Sequence, residues 1–146
     1  MTEPNPRATP SYAEVDAGVR RAVAAYTQAL DDGRTDDVVA TFCAGATVEI
    51  PGMGTHVGVD AIREAYATWT PRRPQRHLVL NTLVTEWTAD DAHATSDVVF
   101  LLKGRDGWAV QVVGRYADVL HRDTDTDTSA GDDRWRFHAR RASFLD

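Results

Sequence analysis

Cysteine is nearly absent from this chain of 146 residues, since Cys43 is the single example. One cysteine excludes an intramolecular disulfide, and no Cys/His group stands at the sequence spacing of a structural zinc site. The sequence therefore predicts no metal site and gives no reason to expect an oxidising compartment.

Long apolar runs and clustered basic charge are also missing. No stretch approaches the ~20 apolar residues of a membrane span, and the opening MTEPNPRATP lacks the apolar segment of a signal peptide. The net charge is −6 and the basic residues are scattered, which disfavours nucleic acid as a partner. We predict a soluble, cytoplasmic protein that binds neither membrane nor nucleic acid.

The residues that are present suffice for one hydrophobic core, because 42% of the chain is hydrophobic. Residues 1–10 contain three prolines and almost no large apolar side chain. Such a segment buries too little to offset the entropy cost of ordering it. We predict a disordered tail over residues 1–10 and a single domain over 11–146.

Helical periodicity follows the tail. Ser11 and Glu14 have the spacing of a capping box, and apolar residues recur at steps of three and four until Gly33 offers a stop. The pattern predicts a helix over about 12–32. Second and third helices are predicted to start near Thr35 and Asp60. The third helix presents Ile62, Ala65, Tyr66 and Trp69 on one face.

The chain turns to extended patterns from Arg76 onward. A short strand is predicted over 46–50, and four longer segments rich in Val, Leu, Thr and aromatic residues follow later. Short turn-like connections between them favour an antiparallel meander, and helices followed by hairpins indicate an α+β domain. The four longer segments are 76–87, 92–103, 108–121 and 134–145.

Two of these strands are apolar on both faces, within 78–84 and 98–102. A sheet with one solvated face should alternate apolar and polar residues. Three short helices can cover one face only, so a second copy of the chain is the simplest cover for the other. We predict a homodimer formed through the outer face of the sheet.

Several segments together resemble the SnoaL-like proteins of the NTF2-like superfamily. The resemblance extends over about 12–145 and is carried by 26–34, Phe42 with 46–50, 58–62, Arg76-His77 with Asn81, 114–118, 134–137 and Arg140-Arg141. It implies a cone-shaped α+β fold in which three N-terminal helices pack on a strongly curved, mainly antiparallel sheet that encloses a pocket. Its members include polyketide cyclases, scytalone and bile-acid dehydratases, and ketosteroid isomerase relatives.

For the dehydratase-like branch, the resemblance implies a catalytic set of Tyr26, Asp31 and His77 acting without metal or organic cofactor. The implied reaction removes a proton next to a carbonyl-type group and expels water. A neutral imidazole can take a carbon-bound proton, a phenol can donate to a developing oxyanion, and a carboxylate can orient the imidazole.

Each of these residues also has a structural explanation. Tyr26 lies on the apolar stripe of the first helix, where aromatic residues are usually core. Asp31 lies about 140° from Tyr26 around a helix and, with Asp32, opposes the helix dipole, so it is either a functional exception or a solvated helix end. His77 is either a pocket base or a core histidine with satisfied hydrogen bonds.

Further candidates would line a pocket for a small apolar or aromatic molecule. Val79, Asn81 and Leu83 share strand parity with His77. Asp97 is either a second carboxylate or general base of the site, in which case its burial would require a partner such as Arg115 or Arg140, or, as we prefer, a residue of the outer face or of a dimer-interface ion pair. The candidate substrate-binding residues are Asn81, Trp69, Tyr66, Asp97 and Tyr116.

The sequence leaves two hypotheses of different classes. One is a cofactor-independent lyase, isomerase or cyclase acting on an alicyclic, aromatic or polyketide-like substrate. The other is a non-catalytic pocket or assembly subunit, similar to the small subunits of ring-hydroxylating dioxygenases. Whether the candidate side chains converge in the fold discriminates between them.

Overall fold

Three helices pack on a six-stranded sheet in the computed structural model, which describes residues 7–123 and 134–145. The helices are α1 (Tyr12–Asp31), α2 (Thr35–Val39) and α3 (Val59–Thr68). The strands are β1 (Phe42–Ile50), β2 (Gly54–Val57), β3 (Gln75–Trp87), β4 (Asp91–Gly104), β5 (Gly107–Arg122) and β6 (Trp135–Phe144). The predicted α+β class is confirmed. No helix in the described ranges is long and apolar enough to span a membrane.

The sheet is mixed and open. Its strand order is β2-β1-β6-β5-β4-β3, and neighbours are antiparallel except for the parallel pair of β1 and β6. The predicted antiparallel meander therefore forms β3 to β6. The strand β1, which precedes α3 in the chain, pairs with β6, the last strand of the meander. β2 pairs with β1 and forms the edge of the sheet.

The ends of α1 follow the predicted chemistry. The Ser11 side chain accepts a hydrogen bond from the backbone N–H of Glu14, and the Glu14 carboxylate accepts one from the backbone N–H of Ser11 at 2.7 Å. At the other end, Gly33 adopts φ +72° and the N–H of Arg34 donates to the carbonyl of Ala29 at 2.8 Å. This glycine-based motif ends the helix sharply and fixes the position of its last residue, Asp31.

The structure differs from the predictions at several boundaries. Residues 51–53 form a turn from which the chain returns as β2, a strand that the sequence patterns did not indicate. The helix α3 begins at Val59 after Gly58, which has φ +87°, rather than after a cap at Asp60. A positive φ lets glycine turn the chain directly into the helix without a side-chain cap.

Part of the segment assigned to a disordered tail makes contacts in the structure. The Arg7 guanidinium donates to the carbonyl of Asp123 at 2.9 Å, and the indole N–H of Trp87 donates to the carbonyl of Pro10 at 3.1 Å. Residues 7–10 therefore lie against the end of the sheet. Residues 1–6 and most of the predicted acidic loop, 124–133, lie outside the described residues.

A bulge in β3 changes which side chains face the helices. The pairing of β3 with β4 shifts between Leu80 and Leu83, and Asn81 there has φ +54°. Before the bulge, His77 and Val79 point inward. After it, Thr82 and Val84 are the buried residues and Leu83 is exposed. The predicted single face of His77, Val79, Asn81 and Leu83 is therefore broken at Asn81, because one extra residue reverses strand parity.

A buried ion pair lies at the centre of the core. Nε and Nη2 of Arg140 donate to the two carboxylate oxygens of Asp118 at 2.8 and 2.9 Å, and neither side chain is exposed. The guanidinium also lies over the rings of Tyr26, Tyr116 and Phe137 at 3.9–4.3 Å. Burial alone would lower the pKa of Arg140, but Asp118 more than offsets this and the pKa is raised.

Removing one partner of this pair should destabilise the protein strongly. We expect Arg140→Met to lower the free energy of unfolding by about 3–5 kcal/mol, because the carboxylate of Asp118 stays buried without a counter-charge. Adding Asp118→Leu should recover much of that loss. Urea denaturation measures both effects. The matched control is Arg63→Met, which removes an exposed ion pair with Asp36 between α3 and α2 and should leave the midpoint unchanged. Equal shifts for Arg140→Met and Arg63→Met would contradict this account.

The sheet face that turns away from the helices carries exposed apolar side chains. Leu78, Val99 and Val113 are paired across β3, β4 and β5, and Leu78 and Val113 remain 46% and 41% exposed. Leu80 and Val110 extend the patch with 44% and 57% exposure. Contiguous apolar patches of this kind are typical of protein interfaces. We propose that a second copy of the chain covers this face.

The dimer can be tested by changing one residue of the patch. We expect the protein to have the mass of a dimer at micromolar concentration, and Leu78→Arg to convert it to a monomer, because the charge would be buried unpaired in a two-fold interface. Light scattering after size exclusion gives both masses. The control Val57→Arg changes an exposed residue of β2 and should leave the dimer intact. A wild-type protein of monomer mass would disprove the interface.

Candidate functional site

A histidine–aspartate pair joins the end of α1 to the start of β3. Nδ1 of His77 lies 2.6 Å from Oδ1 of Asp31, and the backbone N–H of His77 donates to Oδ2 at 2.7 Å. The side-chain amide of Gln75 donates to Oδ1 at 3.2 Å. The carboxylate of Asp31 thus accepts three hydrogen bonds from one short segment of β3.

These contacts fix the protonation pattern of the imidazole. The Asp31 carboxylate is an acceptor, so Nδ1 of His77 carries the proton in the neutral ring. Nε2 is then left with a free lone pair. This is the arrangement in which a carboxylate orients a histidine as a base and stabilises the imidazolium that forms when the histidine takes a proton.

The pair lies at the rim of the inner sheet face. The side chain of Asp31 is 4% exposed and that of His77 is 15% exposed, so the carboxylate is shielded while the imidazole keeps access to solvent. The ring of Phe100 stacks on the imidazole with centroids 4.4 Å apart. Val79 and Val98 are paired directly beneath, and Val98 is buried. The site therefore combines one polar dyad with apolar walls, as small-molecule sites do.

Tyr26 lies deeper in the fold and points elsewhere. Its hydroxyl lies 2.5 Å from that of Tyr66 on α3, and its ring contacts Phe42, Phe137 and the guanidinium of Arg140. Within the described residues it makes no hydrogen bond to Asp31 or His77. The separation of about 140° around α1 explains this, because Tyr26 faces the core while Asp31 faces β3.

Tyr116 is also a residue of the core. It is buried on the inner face of β5, and burial, with smaller contributions from Tyr26, Asp118 and Asp31, raises its pKa. Burial also raises the pKa of Tyr26 and of Tyr66. These three phenols therefore stay protonated at neutral pH and can act as hydrogen-bond donors.

Trp69 and Tyr66 are in contact at the end of α3. Their rings meet edge to face with centroids 4.7 Å apart, and His56 contacts Trp69 from β2. Trp69 is half-buried at the end of α3. A shallow crevice beside Tyr66 is lined by Leu30, Gly33, Thr35, Val38 and Thr70.

The structure places Asn81 and Asp97 on the other side of the sheet. The Asn81 amide donates to Asp97 at 2.8 Å, and Nε of Arg115 donates to the same carboxylate at 2.9 Å. These contacts, from Asn81 first and Arg115 second, lower the pKa of Asp97. This is the outer-face ion pair preferred from the sequence. The bulge at Asn81 is the reason that Asn81 does not join His77, whereas Asp97 faces outward because it lies between the buried Ser96 and Val98 on β4.

A larger cleft lies at the far end of the same hairpin. Its volume is about 480 Å³, and it is lined by Glu86, Trp87, Thr88, Asp91 and His93. His77 is near the start of β3 and Trp87 is its last residue, so the cleft lies roughly 30 Å from the dyad at about 3.3 Å per residue. The cleft is therefore separate from the histidine–aspartate site.

Gln75 and Phe100 are functional neighbours that sequence reasoning missed. Gln75 is buried although a glutamine usually lies at the surface, and it precedes the predicted strand start by one residue. Phe100 lies opposite His77 in the β3–β4 pairing. The sequence alone does not reveal that His77 and Phe100 are paired, because their alignment depends on two shifts in the pairing of β3 with β4. One shift is at Asn81, and the other lies between Val84 and Glu86.

Other proteins share this fold. The family model of the SnoaL-like domain matches residues 11–141. No curated protein sequence matches the chain significantly. Several solved structures from Novosphingobium aromaticivorans have a similar fold.

The first of these solved structures is provisionally named an aromatic ring hydroxylase, with a TM-score of 0.78, 23% identity, and coverage of 94% of this chain and 93% of the other. The second is provisionally named a scytalone dehydratase, with a TM-score of 0.75, 18% identity, and coverage of 90% and 85%.

The third is an NTF2-like protein with a cystatin-like fold, with a TM-score of 0.75, 18% identity, and coverage of 92% and 84%. Similarity at these identities establishes the fold alone, which is the NTF2-like fold expected from the sequence. Together with the match over residues 11–141, it shows that the chain belongs to the SnoaL-like family.

Proposed function

We propose that this protein is a cofactor-independent lyase, isomerase or cyclase in which His77 is the general base. The observation that carries the proposal is the orientation of His77 by Asp31. Nδ1 donates to a shielded carboxylate at 2.6 Å, the imidazole is 15% exposed, and Nε2 has no hydrogen-bond partner among the described residues. A base held in this way is ready to take a proton without prior rearrangement.

The proposed reaction begins with a substrate proton next to a carbonyl group. Nε2 of His77 removes that proton, and the electron pair of the C–H bond moves onto the carbonyl oxygen as an enolate. In a dehydration, collapse of the enolate expels the neighbouring hydroxyl, which takes the proton back from the imidazolium and leaves as water. In an isomerisation, the same proton returns to a different carbon. The carboxylate of Asp31 stabilises the intervening imidazolium.

The tyrosines that could serve an enolate oxygen are buried in the core. Tyr26 and Tyr66 are 1% and 2% exposed, and their hydroxyls are paired with each other at 2.5 Å. Burial raises the pKa of each phenol, so both protons stay in place at neutral pH. Because this pair points away from His77, we assign the reaction only its base, His77, and the orienting carboxylate, Asp31.

The substrate class follows from the walls of the site. Phe100 stacks on His77, and the paired Val79 and Val98 add aliphatic surface on the same face of the sheet. We propose that Trp69, whose ring contacts Tyr66, extends this apolar wall. These surfaces suit an alicyclic, aromatic or polyketide-like molecule with one or two oxygens. The similarity to a protein provisionally named a scytalone dehydratase makes scytalone itself a first compound to assay.

A non-catalytic role remains the second candidate, and one observation favours it. The hydroxyls of Tyr26 and Tyr66 are paired inside a close-packed aromatic cluster, an arrangement that would also serve a purely structural purpose. A subunit of this kind would bind an aromatic compound without converting it. Turnover, rather than binding, is therefore the measurement that discriminates between the candidates.

The base can be assayed before the natural substrate is known. The compound 5-nitro-1,2-benzisoxazole loses its C3 proton to a base while its N–O bond breaks, giving a coloured cyanophenolate. We expect His77→Gln to lower kcat/KM for this probe by roughly 10²–10⁴-fold, the usual contribution of a positioned acid–base group. The thermal melting temperature should stay close to that of the wild type, because His77 lies at the rim.

The matched control is His93→Gln, which changes an exposed histidine of β4 outside the site and should retain full activity. If His77→Gln and His93→Gln have equal activity, or if His77→Gln melts many degrees lower with unchanged activity per folded molecule, the base assignment is wrong. Binding of the probe without turnover by the wild type would favour the non-catalytic subunit.

A further inference from the structure

A second cluster of chemically reactive side chains lies outside the histidine–aspartate site. One potential ligand atom from each of Cys43, His121 and His138 lies within 4.8 Å of the other two. The imidazoles of His121 and His138 are stacked with centroids 4.1 Å apart and an interplanar angle of 12°. Thiolate and imidazole are the ligands that Zn²⁺ and similar transition-metal ions prefer.

The fold brings these residues together from three neighbouring strands. Cys43 lies on β1, His121 on β5 and His138 on β6, and β6 is hydrogen-bonded to both other strands. Their sequence neighbours Phe42, Leu120 and Phe137 are buried in the core. Because side chains alternate along a strand, Cys43, His121 and His138 project from the opposite face of the sheet. The pairing of β5 with β6 shifts between Val119 and Leu120, which makes His138 the extra residue of a bulge.

The dimensions are close to those of a metal site. Bond lengths of about 2.3 Å to sulfur and 2.0–2.1 Å to nitrogen put the ligands of a tetrahedral zinc ion roughly 3.3–3.7 Å apart. Ligand atoms within 4.8 Å need to move by only about 1 Å. His138 is exposed and can rotate, so side-chain motion alone can close the site.

A carboxylate is placed behind one of the imidazoles. Oδ1 of Asp91 lies 3.2 Å from Nε2 of His121. With Nε2–H directed at this carboxylate, Nδ1 of His121 is the nitrogen left for a metal. Metal-bound histidines commonly have such a carboxylate partner, which fixes the tautomer and increases the basicity of the ligand.

We propose that Cys43, His121 and His138 bind a divalent transition-metal ion of the zinc type, with Asp91 orienting His121. Three protein ligands leave the fourth tetrahedral position to water, as in open zinc sites. The thiol of Cys43, whose pKa is raised by burial, loses its proton when the metal binds. The expectation of no metal site rested on spacing along the chain, and three residues so far apart in sequence give no motif.

This site is independent of the proposed reaction. His121 lies near the end of β5, roughly 30 Å along the strand from the residue paired with Phe100 at about 3.3 Å per residue, and on the opposite face from His77. A bound ion would tie together β1, β5 and β6 rather than touch a substrate at His77. The protein can therefore fail to bind a metal while His77 acts as a base, and it can bind a metal while His77 does not act as a base.

Cobalt and zinc titrations of the purified chain of 146 residues test the site directly. We expect Co²⁺ to bind at one equivalent per chain, with a sulfur-to-cobalt charge-transfer band and the intense visible bands of tetrahedral coordination. Zn²⁺ should displace the cobalt and raise the melting temperature, because an ion that binds only the folded state stabilises it.

Three variants and one control make the assignment specific. Cys43→Ser should abolish the charge-transfer band, and His138→Gln, at an exposed position that the fold tolerates, should weaken binding more than 100-fold. Asp91→Asn should weaken it by about 10–100-fold, as expected for a residue that acts through a ligand. His93→Gln, outside the cluster, should bind as the wild type does. A wild-type protein without the band at stoichiometric cobalt, or Cys43→Ser and His138→Gln that bind as tightly as the wild type, would overturn the proposal.

Discussion

The buried ion pair of Arg140 and Asp118 is the interaction around which the fold is arranged. Both side chains are fully enclosed, and a charge enclosed in this way is tolerated only with a close partner and further favourable contacts. The aromatic rings of Tyr26, Tyr116 and Phe137 provide those contacts on three sides. Since these rings come from α1, β5 and β6, the requirement to surround one guanidinium sets how the long helix lies on the sheet.

The position of the candidate site follows from that arrangement. With Tyr26 fixed against Arg140, α1 continues towards β3, where Gly33 ends it directly after Asp31 and Asp32. A carboxylate at a helix C-terminus is unfavourable by itself. Three hydrogen bonds from Gln75 and His77 offset that cost. Asp31 thus stands at an unfavourable position for a negative charge because its carboxylate orients the proposed base. Exceptions of this kind are often found at functional sites.

Sequence patterns predicted the elements well and the site in part. The periodicity of α1, its capping box and the four strands of the meander were placed within a residue or two, because these depend on local chemistry. The pairing of Asp31 with His77 came from resemblance, since no local rule links residues so distant in the chain. The outward position of Asn81, the pairing of Arg140 with Asp118 and the cluster at Cys43 depend on bulges and strand register, which arise only when strands pair.

The central claim is that Asp31 holds His77 with Nδ1 protonated and Nε2 free to accept a proton. Long-range proton–nitrogen correlation spectra of ¹⁵N-labelled protein report which imidazole nitrogen carries the proton. The account predicts that the neutral ring of His77 is the Nδ1–H tautomer in the wild type, and that Asp31→Asn weakens this preference. A wild-type His77 found as the Nε2–H tautomer would contradict the account, because the nitrogen proposed as the base would already be protonated.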